Sequence, residues 1–142
     1  MRSGILLGIV WLLGGHLIAQ NKSQRVFNKT PTEMKNNLVQ QIMIDRFTVP
    51  ANARAEFLEK MYLNRSFVET LPGFVEGTAY EQIGGEGEYN FVTVAAWESE
   101  EALANAKKSV SAYYQKQNIN LPEMLNRLNV KLDRAVYQKM AI

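Results

Sequence analysis

The stretch from Tyr89 to Trp97 constrains the fold of this chain more than any other part of the sequence. It reads Tyr-Asn-Phe-Val-Thr-Val-Ala-Ala-Trp, so almost every position is apolar or small. Because successive side chains of a strand point to opposite faces of its sheet, a strand of this kind is buried on both faces. One face meets the helices of its own chain, and a chain of 142 residues has no spare element for the other. The sequence therefore predicts a homodimer in which two sheets pack face to face.

The elements around this strand follow the order β-α-β-β-α-β. Apolar and β-branched runs predict strands over 39–49, 74–82, 89–97 and 129–140, and helical spacing predicts helices over 52–70, from residue 100 onward and over 121–128. Ser99 is the predicted N-cap of the second long helix, and Pro72-Gly73 ends the first. The fold class is α+β: a ferredoxin-like antiparallel sheet with helices on one face.

The two long helices each carry one apolar side at helical spacing. Such spacing serves core packing, and large aromatic residues on it are first of all core residues. The predicted inward side of the first helix comprises Ala55, Leu58, Met61, Tyr62, Arg65 and Val68. That of the second comprises Ala102, Leu103, Ala106, Val110, Tyr113 and Tyr114.

The first nineteen residues have the pattern of a secretory signal peptide. A basic start at Arg2 precedes the apolar run from Ile5 to Leu13, and Ala19 stands before an abruptly polar sequence. The apolar run is shorter than the roughly 20 residues needed to cross a bilayer, which disfavours a retained anchor. We predict a signal peptide over 1–19, a polar arm over 20–37 and one domain over 38–142, with a periplasmic or secreted location.

Composition excludes several kinds of site. The sequence has no cysteine, and its one histidine, His16, lies inside the predicted signal peptide. Most zinc and copper sites, a Ser-His-Asp triad and a histidine ligand to haem iron are thereby excluded from the mature chain. The net charge of +2 comes from scattered basic residues, without the basic stripe of a nucleic-acid binder. We expect no metal, no cofactor, no nucleic acid and, after cleavage, no membrane among its partners.

Three segments together resemble the antibiotic biosynthesis monooxygenase family of dimeric α+β barrels. They are Ile-Asp-Arg-Phe-Thr-Val at 44–49, Leu-Pro-Gly-Phe at 71–74 and Phe-Val-Thr-Val-Ala-Ala-Trp-Glu-Ser-Glu-Glu-Ala at 91–102. The P-G-F turn and the W-x-S-x-x-A boundary are the family's best-known local features, and with the element order the resemblance covers about 39–140. It implies a domain of that family over 38–142.

The resemblance also bears on activity. Family members include small oxygenases that oxidise electron-rich aromatic substrates without metal or flavin, and haem-degrading enzymes that use an asparagine, a tryptophan and a histidine. Trp97 matches the tryptophan, Asp45 stands in place of the asparagine, and the helix near Ala106 and Lys107 has no histidine. Haem degradation by that mechanism is therefore disfavoured, with Tyr113 or Tyr114 as a remote substitute ligand.

Asp45 and Trp97 are the candidate catalytic residues, and Phe47, Tyr62 and Tyr113 are candidates for binding the substrate. Burying a carboxylate among Met43, Phe47 and Val49 is costly without a partner, and Arg46 points to the opposite face of the strand. If Asp45 faces a pocket, it can act as a general base towards a phenol or hydroquinone. If it faces a second protomer, it is simply paired. The sequence leaves both possibilities open.

Three classes of function are compatible with these residues. The first is an exported cofactor-independent monooxygenase acting on a small aromatic or quinol, in which the deprotonated substrate passes an electron to oxygen. The second is a non-catalytic module that binds a small ligand on the same dimeric fold. The third is an isomerase or another non-redox enzyme, since one fold supports several chemistries. An unpaired buried Asp45 would favour an enzyme, and an entirely apolar pocket would favour a carrier.

Overall fold

The computed structural model describes residues 39–142, so the predicted signal peptide and polar arm lie outside the described residues. Four strands are present: β1 (Gln41–Thr48), β2 (Phe74–Glu81), β3 (Phe91–Trp97) and β4 (Lys131–Tyr137). The helices are α1 (Arg54–Val68), preceded by a 3-10 turn at Ala51–Ala53, α2 (Glu100–Lys116) and α3 (Leu121–Arg127). The predicted element order is confirmed, and the strands are shorter at their ends than predicted.

The strands form one antiparallel sheet in the order β2-β3-β1-β4. In its centre, Asp45 of β1 lies opposite Thr93 of β3 on one side and opposite Arg134 of β4 on the other. Strand β2 pairs with β3 and carries an irregularity just after Phe74. This is the ferredoxin-like α+β fold that the sequence predicts.

The side of α1 that meets the sheet differs from the predicted one. Ala55 and Tyr62 are exposed, whereas Phe57, which the prediction omitted, is buried. The Phe57 ring packs at 5.0 Å from Phe47 and at 5.2 Å from Phe91, measured between ring centroids. Phe47 and Phe91 of the sheet thus fix the rotation of α1, because burying the Phe57 ring removes more apolar area from water than burying an alanine or a tyrosine whose hydroxyl stays in solvent.

The core consists of two apolar clusters, both on the face of the sheet that the helices cover. The first is built around Phe47, Phe57 and Phe91, with Leu128 and Val130 closing it. The second is built around Trp97, Leu103 and Ala106, with partly buried neighbours Met43, Val68, Leu71 and Phe74. The odd-numbered residues of β1 and β3 therefore point to the helices, and the middle of this face, around Asp45, lies between the two clusters.

The two family-like turn motifs pack against each other. Gly73 has a φ of +81°, which glycine adopts without strain, and a Cβ added there would collide with the Cβ of Ala102. The Gly73 carbonyl accepts a hydrogen bond of 2.9 Å from the amide of Glu98. Ser99 caps α2 as predicted, because its side chain accepts from the Ala102 amide at 3.1 Å. The contact of Gly73 with Glu98 and Ala102 joins the start of β2 to the end of β3.

The opposite face of the sheet, called the outer face below, has an apolar centre. Because the even-numbered residues of β1 and β3 point away from both clusters, this face carries Ile42, Ile44, Val92, Val94 and Ala96. Tyr80 and Tyr137 flank this centre and are 57% and 46% exposed. Within residues 39–142, neither apolar cluster covers this face.

Candidate functional site

Asp45 lies on the helix-covered face of the sheet and is only 6% exposed. Both of its carboxylate oxygens accept hydrogen bonds from Arg134, which donates from Nε at 2.6 Å and from Nη2 at 2.7 Å. The two residues are direct cross-strand partners on β1 and β4. Asp45 therefore points towards the helices and not towards the outer face, and it is paired with a residue of its own chain, which neither of the two alternatives had foreseen.

Arg46, the next residue, points to the outer face as predicted. There it forms an ion pair with Asp133, and its guanidinium lies 4.7 Å from the centroid of the Tyr89 ring. The Tyr89 hydroxyl lies 3.3 Å from the carboxylate of Asp133. Successive pairs across β1 and β4 thus put one ion pair on each face of the sheet.

Tyr114 and Asn64 join the two long helices above the Asp45–Arg134 pair. The Tyr114 hydroxyl donates a hydrogen bond of 2.7 Å to Oδ1 of Asn64. Burial raises the pKa of Tyr114 to about 12, and the charges of Arg134 and Asp45 lie close enough to act on that pKa in opposite directions. Tyr114 is therefore a neutral phenol at neutral pH, on the helical side of the buried ion pair.

Trp97 shares the helix-covered face with Asp45 but lies in the second apolar cluster. It is 1% exposed, and its ring meets Phe74 edge-on with centroids 5.5 Å apart. Its cross-strand partner is Gln41, four positions from Asp45, a separation of about 13 Å along the strand. The indole Nε1 has no hydrogen-bond partner among the described residues. A buried donor of this kind is costly and is satisfied by any ligand oxygen that reaches it.

The three candidate substrate-binding residues lie in three different environments. Phe47 is buried in the first apolar cluster. Tyr113 stacks on Phe67 of α1, with ring centroids 4.1 Å apart and planes 11° from parallel. Tyr62 is 60% exposed, which departs from the predicted inward position because Phe57 sets the rotation of α1. The structure places Asp45, Trp97 and Phe47 on the helix-covered face of the sheet, Tyr113 in the contact between the two long helices, and Tyr62 towards solvent.

Two open hollows on the surface of the described residues lie away from Asp45. One, of about 250 Å³, is lined by Leu71 and Pro72 together with the first half of α2, and another is lined by polar residues of the α2–α3 connection and of α3. Within the described part of the chain, no group of three or more acidic, histidine or cysteine side chains is arranged to hold a metal ion. No described helix is both long and apolar enough to span a membrane.

A family model covers most of this domain. The model for the antibiotic biosynthesis monooxygenase family matches residues 41–116, from the start of β1 to the end of α2. The chain belongs to this family. The matched range contains Asp45 and Trp97 as well as the two turn motifs that pack against each other. No curated protein sequence matches the chain.

Solved structures with the family's fold are similar to the chain over its whole domain. A variant of SnoaB, a cofactor-independent oxygenase from Streptomyces nogalater, is 20% identical; the match covers 72% of this chain and 95% of that one, with a TM-score of 0.56. A conserved protein from Methanosarcina mazei is 13% identical, covering 75% and 99%, with a TM-score of 0.57. A dabb family protein from Mesorhizobium loti is 12% identical, covering 72% and 99%, with a TM-score of 0.54. At these identities the likeness establishes the fold.

Sequence reasoning missed three residues of this family member's polar centre. Arg134, the partner of Asp45, stands between Leu132 and Val136 in the alternation of β4, and a basic residue on an apolar face was the available signal. Asn64 occupies the inward side of α1 once Phe57 defines that side. Tyr114 was predicted as a core residue, and only its hydrogen bond to Asn64 shows its polar role.

Proposed function

We propose that this protein is an exported cofactor-independent monooxygenase that acts on a small aromatic or quinol substrate as a homodimer. The observation that carries the proposal is the Asp45–Arg134 pair, a carboxylate and a guanidinium held under the helices of a domain that belongs to this family. A reaction through a substrate anion requires a base that accepts the proton and a fixed positive charge that stabilises the anion. The similarity to a cofactor-independent oxygenase in fold supports the same reaction class.

In the proposed reaction, Asp45 accepts a proton from the substrate. A carboxylate has about four acceptor positions, so an oxygen that already accepts from Arg134 can accept one hydrogen bond more. Arg134 then stabilises the negative charge that develops on the substrate oxygen, in a buried site where electrostatic interactions are stronger than in water. In this proposal Asp45 accepts the proton and Arg134 stabilises the negative charge.

The oxidation itself uses electrons of the substrate. The substrate anion passes one electron to oxygen, and the resulting radical pair combines to form a carbon–oxygen bond. Loss of water from the peroxide leaves a new carbonyl group, so one oxygen atom ends in the product and the other in water. A ring-bound CH₂ and O₂ thus become C=O and H₂O, with the proton from Asp45 returned in the water.

Trp97, Phe47 and Tyr113 form the apolar surroundings of this reaction in the proposal. Trp97 offers its unsatisfied Nε1 donor to an oxygen atom of a bound ligand, Phe47 supplies aromatic surface on the face that carries Asp45, and the Tyr113 ring supplies aromatic surface from the helices. Tyr62, with its exposed ring, is proposed only as a contact at the rim. Planar aromatic ligands suit such surfaces because offset and edge-on ring contacts are both favourable.

Export and assembly rest on separate observations. The sequence of residues 1–19 supports export, with cleavage after Ala19, and mass spectrometry of the exported protein should find Gln20 at the amino terminus. The apolar centre of the outer face supports a homodimer in which two sheets face each other. Recovery of soluble protein that begins at Met1, or a monomeric mass in sedimentation at micromolar concentration, contradicts these two parts of the proposal.

A ligand-binding module without turnover is the second candidate, and one observation favours it. Both oxygens of Asp45 already accept hydrogen bonds from Arg134, so the pair is also complete as a purely structural link between β1 and β4. In that case the aromatic surroundings bind a ligand and the carboxylate takes no proton. Oxygen consumption distinguishes the two functions directly.

The deciding experiment is oxygen uptake by the purified protein across a panel of quinols and anthrones. A monooxygenase consumes one oxygen molecule for each carbonyl formed, releases water and leaves no hydrogen peroxide. Binding of a panel member without any oxygen uptake above the rate without protein establishes the binding module instead. Failure of every panel member to bind contradicts both functions.

A further inference from the structure

The hollow beside the first half of α2 is a groove with an apolar base. Its volume is about 250 Å³, and Leu71 and Pro72 form the wall that faces the helix. Ala102 and Ala106, both buried, form its base. Because its lining residues on α2 recur at spacings of three and four, the groove follows one side of that helix. It is called the α2 groove below, and the proposed reaction does not use it.

The rim of the α2 groove is acidic. Glu98 and Glu101 line it with exposed side chains, and neither forms a salt bridge with another described residue. Asn105 and Ser109 continue the polar rim further along α2. Carboxylates near the start of a helix are ordinary, since they complement the helix dipole, so their charge alone does not identify an occupant. An apolar base with an acidic rim suits a segment whose apolar side chains have basic neighbours.

The amino-terminal part of the chain joins the domain at the end of the sheet that carries this groove. Strand β1 begins at Gln41, whose cross-strand partner is Trp97, and Glu98 of the rim directly follows Trp97. Phe74, the first residue of β2, also pairs with Trp97, so the wall of the groove precedes β2 at the same end. Residues 20–38 therefore precede the domain next to the groove.

The sequence of the polar arm, residues 20–37, complements the groove. It has four basic residues and one acidic residue, which gives a net charge of +3. Its adjacent apolar residues Val26 and Phe27 follow Arg25, and Lys29 stands two positions after Phe27. The arm thus carries two apolar side chains between two cations, the pattern that the apolar base and acidic rim suit.

The chain is long enough for this segment to reach the groove. Phe27 precedes Gln41 by 14 residues, and a chain of that length spans at most about 46 Å. The helical side of the groove, from Glu98 to Ser109, is only about 16 Å long. Reach therefore does not restrict where residues 25–29 bind along it.

We propose that residues 25–29 bind in the α2 groove of the same chain. In this arrangement Val26 and Phe27 contact the apolar base and the wall, and the two cations pair with Glu98 and Glu101. Because the segment is tethered to the domain, its effective concentration is high and modest contacts suffice to hold it. The proposal does not depend on the chemistry at Asp45.

Binding of the arm would also protect the second apolar cluster. Leu71 and Ala106 line the groove on one side and pack with Trp97 in that cluster. A segment that covers these two residues removes further apolar area from water beside the buried indole. The arm is thus a strap over the end of the core where β1 begins.

Zero-length carbodiimide coupling tests the contact in the full chain, because it joins a lysine amine to a carboxylate only where the two meet. Peptide mass spectrometry should find Lys29 joined to Glu98 or Glu101, in a product of monomer mass on a denaturing gel. Glu86 and Glu88 are the matched control, since they are exposed and lie in the β2–β3 loop at the opposite end of the sheet. Coupling to the rim should exceed coupling to this loop by about tenfold or more.

Variants of the arm separate binding from chance encounter. Phe27→Ser should lower the coupling of Lys29 to the rim by about tenfold or more, because the buried ring is lost. Met34→Ser removes an apolar side chain of the arm outside residues 25–29 and should leave the coupling unchanged. Lys29→Glu and Glu101→Lys should each lower the coupling between these two positions, and the double variant should restore it. Circular dichroism verifies folding, and if Glu101→Lys does not fold, Phe27→Ser decides.

Three results overturn the proposal. Lys29 couples to the loop as efficiently as to the rim, or Phe27→Ser and Met34→Ser give the same coupling to the rim, or the rim couples to Lys29 only in products of dimer mass. The last result would assign the arm to the groove of a second protomer. Because none of these measurements uses a substrate or oxygen, each outcome leaves the proposed function to its own test.

Discussion

Two ion pairs connect β1 and β4 at successive positions, and they differ in what lies over them. Asp45–Arg134 lies under the helices, where the Asp45 and Arg134 side chains are 9% and 25% exposed. Arg46–Asp133 lies on the outer face, where both side chains are about 40% exposed. The same residue types thus meet in the same strands, once in a covered and once in an open environment.

This difference shows why only one of the pairs is a candidate for chemistry. Solvent and salt screen charges on an open face, and exposed pairs contribute little to stability. Under the helices, charges interact more strongly and a developing substrate charge is stabilised without reorganising water. The covered pair also has Tyr114 and Asn64 above it, whereas the open pair has only the ring of Tyr89 at its side.

Removing the cation of each pair should give the largest difference. Arg134→Met leaves Asp45 buried without its partner and should lower the free energy of unfolding by about 3 kcal/mol, whereas Arg46→Met should lower it by less than about 1 kcal/mol. Urea unfolding monitored by circular dichroism measures both values. Equal losses in the two variants would remove the distinction between a covered and an open pair.

The outer face should be covered by a second protomer, in contrast to the self-contained helical face. Ile44→Asp puts a charge in the apolar centre of the outer face and should weaken dimerisation by about 100-fold or more, because the charge is desolvated without a partner. Sedimentation equilibrium measures the dissociation constant. Ala55→Asp, at an exposed position of α1, is the control and should leave it unchanged. A dimer that tolerates Ile44→Asp must use another surface.

The change of stability with alkaline pH should differ between Tyr114, under the helices, and Tyr89, on the outer face. The pKa of Tyr114 is raised to about 12 in the folded protein from its ordinary value of 10, so the neutral form stabilises the fold fully below pH 10 and this contribution is lost as the pH rises through 12. Across that interval, wild-type stability should fall relative to Tyr114→Phe by an amount on the order of 2 kcal/mol. Tyr89→Phe should show a smaller change. Parallel stability curves for wild type and Tyr114→Phe would contradict the covered position of Tyr114.

The smallest expected effect is the salt dependence of the open pair. A double-mutant cycle on Arg46 and Asp133 should give a coupling energy below about 1 kcal/mol that disappears at high salt. The corresponding cycle on Asp45 and Arg134 should keep its coupling energy under the same conditions. Urea unfolding at low and high sodium chloride provides both cycles, and a salt-sensitive covered pair would show that water reaches it.

The sequence predicts the fold well because local signals agree along the chain. Apolar runs, the Pro72-Gly73 turn and the Ser99 cap each indicate the same element order, which the structure confirms. The rotation of α1 was predicted wrongly at Ala55 and Tyr62, because it depends on how Phe57 packs between two strands that are distant in sequence.

The polar centre could be predicted only in part. Alternation along β1 separates Asp45 from Arg46, but it does not reveal which face the helices cover. Arg134 lies 89 positions from Asp45, and the pairing register of β1 with β4 brings them together. Asn64 and Tyr114 meet only through the packing of two helices, for which a single sequence carries no direct signal.

The central claim is that the covered Asp45–Arg134 pair performs the reaction, and oxygen uptake by two matched variants tests it most directly. Asp45→Asn and Asp133→Asn each neutralise one carboxylate of similar shape, on opposite faces of the sheet. With a quinol or anthrone that the wild-type protein oxidises, Asp45→Asn should lower turnover by the ~10²–10⁴ of a lost general base, and Asp133→Asn should retain the wild-type rate. Unchanged turnover in Asp45→Asn, or an equal loss in both variants, would contradict the claim.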